Sequence, residues 1–175
     1  MARTGVGDDE SFRTAFGRHY GDITRYAMRR SAASDVDGVV AEVFVIAWKH
    51  WQRRPSLDAE ILPWLYGISR NVVRNHHRAL RRRAAIALVA NQPTVLEPEL
   101  STPPTWILNA LANLAPNDQE VLRLHAWEGL SGRELALALR TNETAARVRL
   151  YRARKRLRQQ LDSHRTSAPT SIQAH

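Results

Sequence analysis

The chain has 175 residues, 43% of them hydrophobic, and 26 Lys and Arg against 17 Asp and Glu give it a net charge of +9. That composition can bury one ordinary core or two small ones, and the basic excess suits a polyanionic partner. The absence of cysteine excludes disulfides and thiolate metal sites; with no apolar run near the ~20 residues that span a bilayer and no apolar signal core at the N-terminus, the expectation is a cytoplasmic protein without membrane insertion.

Residues 1–9 read as a disordered tail. Phe12, Phe16, Tyr20, Ile23 and Ala27 recur every three or four positions, which predicts a first helix to about Arg30. Ser34 or Asp35 can cap the next helix. Its inward stripe is Val36, Val39, Val40, Val43, Phe44, Ala47, Trp48 and Trp51. That is more apolar surface than one stripe needs, so the helix is either wholly buried or open to a partner on one side.

Gln52 to Glu60 is a loop containing Pro55. A third helix follows, with Pro63 near its start, where a missing N–H costs little. Trp64, Leu65, Ile68, Val72 and Val73 face inward, with Trp64 only part core. Arg70, Asn71, Arg74, Asn75, His76, His77, Arg78 and Arg81 to Arg83 crowd the other sides, with no acid between Ile61 and Arg83. Aromatics ahead of a basic polar face suit single-stranded nucleic acid, since rings stack on bases while guanidinium groups hold phosphates. The plainer reading is a core aromatic followed by a solvated basic stretch.

The apolar rhythm fades over 84–104, and four of the chain's eight prolines fall in 91–104, so 87–104 reads as a linker. Trp106, Ile107, Leu108, Leu111 and Leu114 open a second domain, and Pro116 starts a helix that stops at Gly129. Ser131 and Glu134 form a capping box for the next helix. After a break at 140–142, Asn142 caps a last helix with Ala146, Leu150, Ala153, Leu157 and Leu161 on one side and a run of arginines on the others. A short apolar helix, a brief turn and a long basic helix is a helix-turn-helix pattern, the second helix sized for a DNA major groove. Residues 163–175 read as a second disordered tail. The expected fold is all-α: two small helical domains, 10–86 and 105–162, on a flexible linker.

Three blocks, DVDGVVAEVFVIAWKHW at 35–51, PWLYGISRNVVRNHHR at 63–78 and LAPNDQEVLRLHAWEGLSGRELALALRTNETAARVRLYRARKRL at 114–157, stand in the order of bacterial sigma factors. By these blocks the chain resembles the extracytoplasmic-function (ECF) group over about residues 10–161, in a minimal two-domain form. The resemblance implies an alternative sigma factor, which is not an enzyme and needs no cofactor. The first domain (sigma region two) would dock on the β′ clamp helices of core RNA polymerase through Asp35, Asp37, Val40, Glu42, Phe44 and Trp48. Trp64, Asn71, Arg74, Asn75, His76 and Arg78 would contact the −10 promoter element, and the loop Gln52 to Glu60 would pocket a flipped base. The second domain (sigma region four) would read the −35 element through Thr144, Arg147, Val148, Arg149, Tyr151 and Arg152, and would touch the polymerase β flap. An anti-sigma factor is a further partner that the family commonly has.

The chain departs from the family's pattern in three places. The docking helix has Gly38 and Ala41 where Asp and Gln are usual, and the turn of the helix-turn-helix has Arg140 where Gly is usual. Val148 replaces a small polar residue, which shifts base reading toward Arg147 and a thymine-methyl contact. The rival reading is a stand-alone helix-turn-helix regulator, which accounts for 131–161 but not for the valine- and tryptophan-rich 36–51. An enzyme acting on nucleic acid finds no GxxxxGK[ST] or HExxH, and adjacent His76 and His77 point about 100° apart on a helix.

Overall fold

The computed structural model describes residues 6–87 and 105–166. All described regular structure is helical, and the chain divides into two compact units, 1–98 and 99–175. Residues 1–5, 88–104 and 167–175 lie outside the description, and most of the expected linker falls there.

In the first unit α1 (Val6–Met28), α2 (Val36–Lys49) and α3 (Ile61–Ala87) pack pairwise against one another. Ile23, Tyr26, Val39, Val43, Leu65 and Val72 form the buried centre. Each such side chain contributes about 1.5–3 kcal/mol by leaving water. Tyr66 belongs to this core too, its ring 5.4 Å from that of Tyr26.

The expected 1–9 tail gives way at Val6, where α1 begins. Asp8 and Asp9 place negative charge in the first turn, where the helix dipole favours it. Asp8 is also held from outside, its Oδ1 accepting from Arg54 Nη1 at 3.1 Å. At the other end, α7 runs to Thr166, four residues into the second expected tail.

In the second unit α4 (Thr105–Ala112), α5 (Pro116–Ala126) and α6 (Gly132–Leu139) all pack against α7 (Glu143–Thr166). Ala110, Ala138, Ala146 and Ala153 are fully buried, and their lack of bulk lets the helices approach closely. Local signals set the ends. Pro116 opens α5, and Gly129 takes a positive φ in the turn after it. The Ser131–Glu134 capping box forms, the Ser131 N–H donating to Glu134 Oε2 at 3.3 Å. Asn142 caps α7 by accepting from the Ala145 N–H at 2.7 Å.

Candidate nucleic-acid interfaces

Trp64, Asn71, Arg74, Asn75 and Arg78 lie on one side of α3, within about 100° of arc. Arg74, Asn75 and Arg78 are exposed and Asn71 is half-buried. Trp64 is half-buried as well, its ring 6.0 Å from Trp51, so only part of it is available for stacking. Beyond Arg78 the helix is exposed on every side to Arg83. This stretch offers cations and amides on one face and carries no carboxylate.

His76 does not share that face. It sits about 140° around the helix from Asn71, and its Nε2 donates to Asp35 Oδ2 at 3.0 Å. His77 Nε2 donates to the Arg30 carbonyl at 2.7 Å. The two adjacent rings therefore tie α3 to both ends of the α1–α2 link. The hydrogen bond from His76, with its charge, holds the Asp35 carboxyl below the usual carboxylate range. Asp35, one of the two candidate caps with Ser34, makes no side-chain cap to α2, and its carboxylate is turned toward α3.

On α2, Val40 and Phe44 are buried, at 2% and 5% exposure, beneath the exposed face of the helix. Asp37, Gly38, Ala41, Glu42 and Val45 make its exposed face, with Trp48 half-buried at the edge. Val45 is 51% exposed, and on the neighbouring helix Phe16 and Tyr20 are 39% and 43% exposed. Together they border a groove of about 660 Å³ between α1 and α2, floored by Val40 and Phe44. Sequence periodicity set Phe16 and Tyr20 on one stripe with Ile23 and Ala27, which are fully buried; the surplus of apolar surface on α2 was the available sign of an open face. Nothing lies within 4 Å of the β-carbon position at Gly38, so this part of α2 is bare.

The 52–60 segment is a braced loop with 3-10 turns at Trp51–Arg53 and Asp58–Glu60. Trp51 Nε1 donates to Ser11 Oγ at 2.9 Å, Arg54 bonds Asp8, and Arg18 pairs with Asp58. Three contacts from α1 thus hold the loop, while Leu57 stands 54% exposed between its two turns.

On α7, Thr144, Val148 and Tyr151 fall within about 60° of arc, opposite buried Ala146, Leu150 and Ala153. Arg147 and Arg152 flank them, and Lys155 continues the same face one turn on. Lys155 stands outside the set expected at the −35 element, although its spacing of four and seven from Tyr151 and Val148 puts it on their face. Arg149 is exposed but lies about 100° around from Val148, on the flank. Glu143 Oε1 accepts from Arg147 Nη2 at 2.8 Å and steadies that guanidinium. The same carboxylate leans over Gly132, where a β-carbon would stand 3.1 Å away. Other cations of α7 are used for packing: Arg156 pairs with Asp118 at 2.6 Å, and Arg154 donates to His125 Nε2, whose Nδ1–H bonds the Leu130 carbonyl.

Among the described residues no group of three or more His, Asp or Glu side chains could hold a metal ion, and no helix is long and apolar enough to cross a membrane.

Two family descriptions match the chain: Sigma-70 region 2 over residues 15–83 and Sigma-70 region 4 over residues 105–157. The probable RNA polymerase sigma factor RfaY of Xanthomonas campestris pv. campestris is 33% identical over 147 residues, 77% of this chain and 36% of its own length. The ECF RNA polymerase sigma factor SigL of Mycobacterium tuberculosis is 27% identical over 155 residues, 83% of this chain and 86% of its own. Among solved structures, RpoE of Bartonella quintana, in complex with the anti-sigma factor NepR, aligns with a TM-score of 0.66 at 18% identity, covering 87% of this chain and 98% of RpoE. CnrH, in complex with the cytosolic domain of CnrY, aligns with a TM-score of 0.58 at 26% identity, covering 89% of this chain and 90% of CnrH.

Proposed function

Because the chain belongs to the sigma-70 family, in its extracytoplasmic-function group, we propose that it binds core RNA polymerase in the cytoplasm and directs it to promoters through their −35 and −10 elements. The observation that carries this reading is the presence of one basic helical face on each of two separate units, beside a third surface that is apolar and acidic. A stand-alone regulator needs only the α7 face.

In this reading the exposed side of α2, with Asp37, Glu42, Val45 and Trp48, meets the β′ clamp helices, while Val40 and Phe44 support it from beneath. The polar face of α3 takes the −10 strand: Arg74 and Arg78 hold phosphates, and Asn71 and Asn75 offer amides to bases. The braced loop between α2 and α3 receives a flipped base, whose unstacking costs a few kcal/mol and must be offset by a pocket. Thr144, Val148, Tyr151 and the flanking arginines of α7 enter the −35 major groove. The outer side of the second unit meets the β flap. The chain itself performs no catalysis; it positions the polymerase and helps separate the strands. An anti-sigma factor is a further partner in this reading, by analogy with the RpoE–NepR complex.

The direct test is gel filtration of the chain with core polymerase. Co-elution that is lost in Val45→Asp, with helical circular dichroism unchanged, supports the docking face. Separate elution of folded protein and core sinks the assignment and leaves the stand-alone regulator.

A further inference from the structure

Arg140 is the only non-glycine residue with positive φ among the described residues, at φ 51 and ψ 53. It closes α6 in a Schellman arrangement: its N–H donates to the Leu137 carbonyl at 3.1 Å, and the Thr141 N–H to the Ala136 carbonyl at 2.9 Å. Glycine occupies this left-handed position without steric cost, whereas a β-carbon there crowds the following carbonyl. Asn and Asp are tolerated because their short side chains bond locally; arginine has no such compensation.

Packing does not account for the residue, since Arg140 is exposed. Ion pairing does not account for it either. Arg147 and Arg156 are engaged by Glu143 and Asp118, while Arg140 has no carboxylate partner among the described residues. A strained backbone position occupied by an exposed cation with no partner inside the fold suggests a contact outside it.

The place in the chain narrows what that contact is. Arg140 lies two residues before Asn142, the cap of α7. With α7 in the major groove, the turn that precedes its N-terminus runs beside the sugar–phosphate backbone. A guanidinium there presents a planar fork of N–H donors suited to phosphate oxygens, near the positive end of the α7 dipole.

We infer that Arg140 is a phosphate-binding residue of the second unit, a clamp from the turn that adds to the base-facing residues of α7. The inference rests on the reading of α7 as the DNA-entering helix. The contact carries no sequence information and fixes the register of α7 on the duplex.

The test uses the full chain, a fluorescein-labelled duplex of mixed sequence and fluorescence anisotropy across a KCl series. Arg140→Gly relaxes the backbone, so its thermal midpoint rises. Its affinity nevertheless falls about 5- to 10-fold near 100 mM salt, and the log–log salt slope falls by about 0.9, the worth of one phosphate contact. Arg140→Lys keeps the charge and retains the wild-type slope. Unchanged affinity and slope in Arg140→Gly overturn the inference. An affinity loss accompanied by a lower thermal midpoint also overturns it, because the loss then belongs to the fold. Wild-type protein with no salt-dependent DNA binding overturns the reading of α7 itself, and the clamp falls with it.

Discussion

His76 Nε2 stands 3.0 Å from Asp35 Oδ2, joining α3, which bears the proposed −10 face, to the start of α2, which bears the proposed polymerase face. The neighbouring bond from His77 to the Arg30 carbonyl fixes the other end of the same link. His76, one of the six side chains expected at the −10 element, is thus bonded within the fold. The acid that looked like a polymerase contact is its partner.

Asp35→Asn and His76→Gln are therefore expected to act on the same contact. Each lowers the stability of the first unit at pH 7, and the double variant is no less stable than the worse single one. The pH dependence follows from the depressed Asp35 value. A carboxyl whose folded-state pKa lies below its unfolded one stabilises above the unfolded value and loses that contribution as pH falls through the folded value. Acid titration by circular dichroism should show wild type and Asp35→Asn converging below about pH 4. Additive losses at pH 7 would show that the two side chains act separately.

His19 is 8% exposed, and neither ring nitrogen has a hydrogen-bond partner among the described residues; Asp22 Oδ2 is 3.7 Å from Nδ1. Burial pushes its pKa below the ordinary histidine value, partly opposed by Asp22. The folded state then resists a proton that the unfolded state accepts, so stability declines as pH falls through about 6.5. His19→Leu removes an unsatisfied buried group and is expected to add about 1 kcal/mol near pH 6. Urea unfolding at pH 5.5 and 7.5 measures this. An equal change at both pH values contradicts the titration argument.

Arg74→Ala and Arg78→Ala should each weaken binding of a single-stranded −10 oligonucleotide and flatten its salt slope by about 0.7. His76→Gln, set on the other side of α3, should leave that slope unchanged. Fluorescence anisotropy separates the two outcomes, and a slope lost in His76→Gln would return that histidine to the DNA face.

Arg147→Ala should lower discrimination at its −35 base by about 1–3 kcal/mol, the worth of a good base-edge contact. Glu143→Ala releases the Arg147 guanidinium from its 2.8 Å pairing and should broaden the −35 preference while overall affinity is kept. Binding selection from a randomised duplex reads both, and an unchanged base profile in Arg147→Ala removes it from the readout.

Features set by neighbours in the chain were legible in the sequence. The Ser131–Glu134 box, the Asn142 cap and Pro116 at the start of α5 each act over three or four residues and appear as read. Features set by distant pairs were not legible. The turn of His76 toward Asp35 spans 41 residues, and the bond from Arg54 that draws Asp8 into α1 spans 46. Periodicity marked Val40 and Phe44 as apolar, but only the packing of α1 on α2 decides that they lie beneath the surface while Val45 stands above it. Arg140 shows a third kind of limit, since residue preference argues against arginine in a left-handed position that the turn between α6 and α7 imposes.

The most direct test of the central claim is run-off transcription from a library of genomic fragments, with core RNA polymerase in the presence and absence of this chain. The account predicts new start sites that appear only with the chain and share two sequence motifs at a fixed spacing. Folded protein that binds DNA yet yields no new start site would contradict it.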